Sequence, residues 1–78
     1  MAAKAFILIE TSVGNSRRVA DLMKGIPEIE AVDVVTGPYD VIAIVNAEDM
    51  GGVADLVTGR IHSAGGVTRT TTCVAVGS

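Results

Sequence analysis

The sequence predicts an α+β domain of the ferredoxin-like type, with elements in the order strand, helix, strand, strand, helix, strand. Short apolar runs rich in β-branched residues indicate the strands, and apolar residues repeating at helical spacing indicate the helices. Glycines and prolines separate these segments. The chain has 78 residues, enough for one domain and too few for two, so residues 1–78 are predicted to form a single unit.

The first half of the chain predicts a strand, a helix and a second strand. The segment KAFILIE, residues 4–10, is the first strand, and Gly14-Asn15-Ser16 then supplies turn and capping chemistry. The helix that follows is predicted from an apolar stripe: Val19, Leu22, Met23 and Ile26. Gly25 and Pro27 end this helix. The segment EIEAVDVVT, residues 28–36, begins with alternating apolar and polar residues, as a half-exposed strand does.

The second half repeats this type of unit after the turn Gly37-Pro38. Residues 39–45, YDVIAIV, predict the third strand, and residues 46–49 supply capping groups for a second helix. The apolar stripe of that helix is Met50, Val53, Leu56 or Val57, and Ile61. Ala64-Gly65-Gly66 closes the helix, and residues 67–76, VTRTTTCVAV, predict the last strand. The first and third strands are central in this topology, which agrees with their being the most apolar.

The composition excludes several classes of function. Nine acidic and six basic residues give a net charge of −3, which is the wrong sign for a phosphate-binding or nucleic-acid-binding module. The single cysteine, Cys73, cannot form an internal disulfide, and together with the single histidine, His62, it cannot complete a zinc site. We expect Cys73 to be a small buried hydrophobic residue. No signal peptide or membrane-length apolar run is recognisable, so a cytoplasmic protein with no cofactor and no membrane partner is expected.

The predicted strands are apolar on both of their sides. Neighbouring strand residues point to opposite faces of a sheet, so the segments FILI, VIAIV and CVAV place apolar side chains on both faces. The two helices can cover one face only. The other face would then expose more apolar surface than a monomer normally shows. We therefore expect an obligate homodimer that closes sheet to sheet about a two-fold axis, in the manner of a dimeric α/β barrel.

Two motifs carry a resemblance to a known family. The segment VTGPYDVIAIV, residues 35–45, is similar to the V-T-G-x-Y-D segment in the C-terminal regulatory (RAM) domain of the Lrp/AsnC transcription regulators. The segment IHSAGGVTRTTTCVAV, residues 61–76, resembles the I-x-x-x-x-GV-x-x-T-x-T ending of the same domain. The resemblance runs over nearly the whole chain, in the same order of elements.

The resemblance implies a regulatory function. Domains of this family form dimeric αβ sandwiches that assemble further, commonly into a tetramer of dimers (an octamer), and bind amino acids or related effectors near the contacts between dimers. Typical members begin with a helix-turn-helix DNA-binding domain, which is not recognisable here, so direct DNA binding is not expected. The resemblance implies a stand-alone sensing module that acts in transcriptional or metabolic regulation by assembling with a full-length regulator of the family.

The resemblance centres the candidate ligand-binding site on the Gly-x-Tyr-Asp turn, and the chemistry of the residues supports this. Asp40 can pair with an ammonium group through a charge-assisted hydrogen bond, and backbone N–H groups around Gly37 can receive a carboxylate. The aromatic ring of Tyr39 can line one side of the pocket. Thr70 and Thr72 lie on one face of the last strand and present hydroxyl groups. We expect no catalytic residue and no metal ligand.

Other interpretations of these residues remain open. Asp40 can serve only to bond local backbone amides, Tyr39 can pack between subunits, and threonine suits any half-exposed strand. For the chain as a whole the alternatives are a small dimeric enzyme of the cofactor-independent monooxygenase type, an ACT-like domain and a purely structural oligomer. A scarcity of acid-base groups in the strands argues against the enzyme, and the Gly-x-Tyr-Asp turn argues against the ACT-like domain.

Overall fold

The structure is a computed structural model that describes residues 3–76. Its elements follow the predicted order, and a short π-helical segment extends the second helix. The elements have these bounds: β1 Ala3–Thr11, α1 Ser16–Lys24, β2 Ile29–Val34, β3 Val41–Ala47, α2 Met50–Leu56, the π-helical segment Val57–Ile61, and β4 Val67–Val74. The predicted ferredoxin-like βαββαβ fold is confirmed.

The strands form a four-stranded antiparallel sheet in the order β2-β3-β1-β4. β1 and β3 are therefore central, as their apolar sequences predicted. Ile7 of β1 lies opposite Ala43 of β3 on one side and opposite Thr72 of β4 on the other. The register with β4 shifts between Glu10 and Thr11, near the end of β1. This irregularity lies beside the turn that the sequence motif singled out.

The hydrophobic core lies between the sheet and the two helices. Alternate residues of both central strands are fully buried on this side: Ala5, Ile7, Ile9, Val41, Ala43 and Val45. The helical segments and their ends contribute the residues that cover them: Val19, Ala20, Met23, Ile26, Val53, Leu56 and Ile61. Burial of an aliphatic side chain contributes about 1.5–3 kcal/mol, so this single layer supplies most of the hydrophobic stabilisation of the chain.

The second helix changes from α-helical to π-helical hydrogen bonding after Leu56. The sequence predicted one continuous apolar stripe here, although the step from Leu56 to Ile61 is longer than the three or four residues that keep side chains on one face of an α-helix. The N–H of His62 donates to the C=O of Val57 at 2.9 Å, which is the longer π-helical connection. The wider turn brings both Leu56 and Ile61 into the core.

Three residues that the sequence assigned to buried positions are exposed in the chain: Leu22, Met50 and Cys73. Met50, the first residue of α2, is 48% exposed. Leu22, part of the apolar stripe of the first helix, is 50% exposed because it borders a groove between α1 and the segment that follows the π-helical turn. Cys73 is exposed because β4 is an edge strand and Cys73 pairs with Phe6, away from the buried face. The expectation of a buried Cys73 is wrong for the single chain.

The face of the sheet opposite the core has no helix over it in the described part of the chain. Its centre is apolar, and these side chains are half-buried: Phe6, Leu8, Ile42 and Ile44. Polar residues flank this centre: Lys4 and Glu10 of β1, Asn46 of β3, Asp33 of β2, and Arg69 and Thr71 of β4. We call this surface, together with Ala31 and Cys73, the open face. The apolar character of both faces is confirmed for β1 and β3, whereas β4 contributes Arg69, Thr71 and Cys73 to the open face. The dimer that would cover the open face stays a prediction.

Candidate functional site

The candidate site is the connection between β2 and β3, residues 35–40. The N–H of Val35 donates to the C=O of Asp40 at 2.9 Å and closes this turn. Gly37 has a φ of +147°, a conformation that residues with a side chain rarely adopt. A Cβ atom built at Gly37 would meet no atom within 4 Å, so the backbone of the turn borders open space. The backbone thus requires the glycine of the motif, and the turn is accessible to a ligand.

Asp40 connects the turn to the end of β1. Its N–H donates to the C=O of Ile9 at 2.9 Å, and its carboxylate Oδ2 accepts the N–H of Thr11 at 2.8 Å. The pairing of β1 with β3 ends at Ile9 and Val41. The N–H of Thr11, one step beyond this pairing on the β3 side, therefore donates to the Asp40 carboxylate instead of a backbone C=O of β3. Among residues 3–76 the other carboxylate oxygen, Oδ1, accepts no hydrogen bond. One oxygen of Asp40 is therefore structural, and the second remains for another donor.

Thr70 and Thr72 lie on β4, opposite Ile9 and Ile7 of β1. Directly paired residues share a face of the sheet, so both threonines are on the side that carries the core. The hydroxyl of Thr70 is already engaged, because its Oγ1 lies 2.9 Å from Nε2 of His62 at the end of the second helix. Thr72 is exposed. The prediction that these threonines share a face is confirmed, and their role in binding stays a prediction.

The five predicted site residues form two clusters and not one. Gly37, Tyr39 and Asp40 lie together on the turn, where Tyr39 and Asp40 are half-buried. Thr70 is across β1 from them, and two inter-strand spacings put its backbone roughly 10 Å from that of Asp40. Thr72 lies one further step along β4, away from the turn. A small ligand that touched both clusters would have to extend over the end of β1.

Two hollows of the described chain lie away from both clusters. The larger one, of about 1160 Å³, is an open groove in which half of the lining residues are acidic: Glu28, Asn46, Ala47, Glu48, Asp49, Gly51, Gly52 and Asp55. It lies near Ala47, at the end of β3 opposite the Gly37–Asp40 turn. A smaller hollow of about 370 Å³ lies between the helices and includes Leu22 and Arg60. Neither hollow contains a predicted site residue.

A hydrogen-bond network that was not predicted from the sequence lies next to the candidate turn. Asn15 Nδ2 donates to Ser12 Oγ at 2.7 Å, and Arg18 Nε donates to Asn15 Oδ1 at 3.2 Å. Arg18 Nη2 also donates to the C=O of Gly65, and the N–H of Ser12 donates to the C=O of Gly66 at 2.8 Å. The network ties the loop after β1 to the start of β4. The regular three-residue spacing of Ser12, Asn15 and Arg18 was the available signal.

Two kinds of group that often mark functional sites, metal-ligand clusters and buried polar side chains, are not found among the described residues. Within residues 3–76 no cluster of three or more His, Cys, Asp or Glu side chains is arranged to hold a metal ion. No polar or charged residue in that range is buried. Over the same range, none of the helices has the length and apolar character needed to cross a membrane. The chemistry of any site here depends on half-buried groups such as Asp40.

The family model of the Lrp/AsnC ligand binding domain matches residues 4–78, which is nearly the whole chain. The chain is a member of the Lrp/AsnC family. The resemblance seen in the two sequence motifs is thereby confirmed. Among solved structures, TTHA0845 from Thermus thermophilus is 34% identical with a TM-score of 0.92, and the match covers 97% of this chain and 95% of that chain.

Two other solved structures share the fold at lower identity. AsnC of E. coli is 16% identical with a TM-score of 0.91, and the match covers 97% of this chain and 52% of AsnC. The transcriptional regulator NMB0573 from Neisseria meningitidis, in complex with L-Met, is 21% identical with a TM-score of 0.85. That match covers 95% of this chain and 49% of NMB0573. The chain spans about half the length of these two proteins. No curated protein matches it.

Proposed function

We propose that this Lrp/AsnC domain is an effector-binding and oligomerisation module for an amino acid or a related small zwitterion. The family is defined by a ligand-binding domain, and NMB0573, which shares the fold, is known in complex with L-Met. The observation that carries the proposal is the Asp40 carboxylate, because Thr11 occupies only one of its oxygens among the described residues. A regulatory and non-enzymatic role agrees with the family.

The turn presents the groups that an amino acid requires. The free Oδ1 of Asp40 is suited to the ammonium group through a charge-assisted hydrogen bond. The N–H groups of Gly37 and Tyr39 are the candidates for the carboxylate, since Pro38 has no N–H to donate. The open space beside Gly37 lets the ligand approach the backbone. The ring of Tyr39 would then border the effector side chain.

The effector site is completed, in this proposal, by a second chain. The turn borders open space, and neither of the two hollows described above includes it, so one copy alone offers few groups to enclose a ligand. The domain forms a homodimer through its open face, and further dimers meet near the Gly37–Asp40 turn to give a higher oligomer. An effector bound there shifts the assembly state only if it binds one assembly more tightly than another. A full-length Lrp/AsnC regulator is the proposed partner.

The test is a thermal-shift survey of the proteinogenic amino acids on the purified protein. An effector at one hundred times its dissociation constant should stabilise the folded form by about 2.7 kcal/mol per site. The survey is repeated on Asp40→Asn, which keeps an acceptor for the N–H of Thr11 but removes the negative charge. Asp55→Asn, which changes an exposed carboxylate of α2, is the matched control. We expect a response in the wild type and the Asp55 variant, and none in Asp40→Asn.

The outcomes separate the function from its location. If no amino acid shifts the melting temperature of the wild type, sensing of this ligand class is contradicted. If Asp40→Asn responds as well as the wild type, the domain senses an effector but the site is not at Asp40. A purely structural oligomer is the second candidate function. The hydrogen bond between Asp40 and Thr11 favours it, because through this bond the motif stabilises the fold without any ligand.

A further inference from the structure

The end of β1 beside the candidate turn pairs irregularly with β4. The register is regular up to Glu10 and shifts before Thr11, the last residue of the strand. The shift leaves Thr68 of β4 without a direct partner, and the hydroxyl of Thr68 donates to the C=O of Glu10 at 3.0 Å. On the other side of the strand, the N–H of Thr11 donates to Oδ2 of Asp40 at 2.8 Å. The position of the Asp40 carboxylate therefore depends on how firmly this strand end is held.

Ser12, the residue just after β1, is held by a closed ring of hydrogen bonds. Its N–H donates to the C=O of Gly66 at 2.8 Å, and its Oγ accepts Nδ2 of Asn15 at 2.7 Å. Nε of Arg18 donates to Oδ1 of Asn15 at 3.2 Å, and Nη2 of Arg18 donates to the C=O of Gly65. Because Gly65 and Gly66 are adjacent, these contacts close on themselves, and we call them the Arg18 ring. The ring holds the chain after β1 against the start of β4.

Arg18 reaches the backbone at residues 65 and 66 because both are glycines. A Cβ atom at Gly66 would lie 2.9 Å from Nη2 of Arg18, and one at Gly65 would lie 3.4 Å from the same nitrogen. The guanidinium group is a planar fork, so it can donate to acceptors on two segments at once. Arg18 therefore connects α1, the loop after β1 and the start of β4, although it is an exposed residue.

We propose that Arg18 is a positioning residue of the Asp40 site. The ring holds Ser12 on the β4 side, which restricts the backbone dihedral angles of the preceding residue, Thr11, and so the direction of its N–H. That N–H fixes Oδ2 of Asp40, so that Oδ1 keeps one orientation toward the ammonium group of the effector. This role rests on the proposed effector site at Asp40. Arg18 acts through the ring and does not touch the effector.

Hydrogen exchange of single backbone amides measures this constraint without any effector. Arg18→Met removes the donors of the ring, and we expect the N–H of Thr11 to exchange about tenfold faster or more, because the strand end opens locally. The N–H of Asn46, which donates to the C=O of Glu28 at the other end of β3, is the internal reference and should keep its rate. Arg17→Met changes an exposed neighbour on α1 with the same loss of charge and is the matched control.

Two further variants separate the ring from the positive charge of Arg18. Arg18→Lys keeps the charge, but a lysine ammonium cannot donate to Asn15 and Gly65 with the geometry of the fork, so this variant should resemble Arg18→Met. Asn15→Ala opens the ring at another point and should also speed the exchange at Thr11. The double variant of Asn15→Ala and Arg18→Met should exchange no faster than the faster single variant, since both changes break the same ring.

The effect on binding is measured by isothermal titration calorimetry with each proteinogenic amino acid that shifts the melting temperature of the wild type. We expect Arg18→Met to weaken binding about tenfold relative to Arg17→Met, the smallest loss typical when residues that orient the ligands of a metal are removed. A similar loss is expected for Arg18→Lys. Circular dichroism reports whether each variant folds. If Arg18→Met does not fold, exchange and calorimetry on Asn15→Ala and Arg18→Lys decide in its place.

The possible results are distinct. Faster exchange at Thr11 but not at Asn46, together with weaker binding, supports the positioning role. Unchanged exchange at Thr11, equal acceleration at both amides, unchanged affinity, or wild-type behaviour of Arg18→Lys overturns that role and leaves effector binding in place. If no amino acid binds the wild type, the proposed function and the positioning role are both overturned, and faster exchange at Thr11 then assigns the ring to stability alone.

Discussion

The two faces of the sheet come from the same strands and similar residues, yet they differ in burial. On β1, Ile7 and Ile9 are 0% exposed, whereas Leu8 between them is only half-buried. On β3, Ala43 and Val45 are likewise fully buried, and Ile44 between them is half-buried. Hydrophobicity along the strand does not distinguish these neighbours. The difference shows that the connections, and not the strand composition, decide which face becomes the core.

The handedness of the crossovers explains which face the helices cover. α1 connects β1 to β2, and α2 connects β3 to β4, with another strand lying between each connected pair in the sheet. Each crossover is expected to be right-handed, because strand twist and helix handedness favour that connection. Two right-handed crossovers in this strand order put both helices on the same side. The other side has no helix over it among residues 3–76.

The largest difference in stability is expected between mutations of two adjacent residues of β1, one on each face of the sheet. Ile7→Ala should lower the free energy of unfolding by about 3–4 kcal/mol, because it removes fully buried methyl groups and leaves a cavity under the helices. Leu8→Ala, the matched change on the open face, should cost less than about 1.5 kcal/mol in dilute solution. Urea denaturation at two protein concentrations measures both. Equal losses in the dilute samples would contradict the contrast between the faces.

The next effect concerns the connection that positions β4 beside β1. Gly66 has a φ of +101°, and a Cβ there would lie 2.9 Å from Nη2 of Arg18 and 3.0 Å from Cβ of Asn15. Gly66→Ala should therefore destabilise the fold by about 1–2 kcal/mol. Gly59→Ala, in the π-helical segment, meets no atom within 4 Å and should stabilise by up to about 1 kcal/mol. Thermal melts of the two variants should move in opposite directions.

The third prediction concerns the bond between the candidate turn and the end of β1. Asp40→Ala removes the acceptor of the Thr11 N–H and should cost about 1–2 kcal/mol. Asp40→Asn keeps an acceptor and should cost less. Denaturant unfolding compares the two variants without effector. A loss of stability in Asp40→Ala that equals the loss in Asp40→Asn would show that the bond to Thr11 contributes little.

The smallest effect is expected at two neighbouring threonines of β4 that lie on opposite faces. Thr70→Val loses the hydrogen bond to His62, an exposed interaction, and should destabilise by about 0.5 kcal/mol. Thr71→Val adds an apolar group to the open face beside Leu8 and should strengthen dimerisation instead. Sedimentation and denaturation together distinguish these outcomes. A weaker dimer in Thr71→Val would argue that the open face is not the interface.

The motif residues could be found in the sequence, but the way they are connected could not. Gly37 and Asp40 were recognisable because a turn between two apolar runs needs a glycine, and an aspartate entering a strand is unusual. That Asp40 bonds the N–H of Thr11 depends on a contact across the sheet, between segments far apart in the chain. The network around Arg18 was missed for the same reason, since an exposed arginine on a helix is normally solvated.

The sequence by itself determined the order of the elements, the central position of β1 and β3, the turn at Gly37 and membership of the Lrp/AsnC family. These features depend on local spacing, local backbone geometry and motif identity, which a linear pattern contains. Only the tertiary structure decided that Ile7 is buried while Leu8 is not, that Leu56 and Ile61 need a π-helical turn, and that Thr70 is separated from Asp40 by β1. Each of these depends on which segments pack together, because burial and hydrogen bonding are properties of neighbours in space and not of neighbours in sequence.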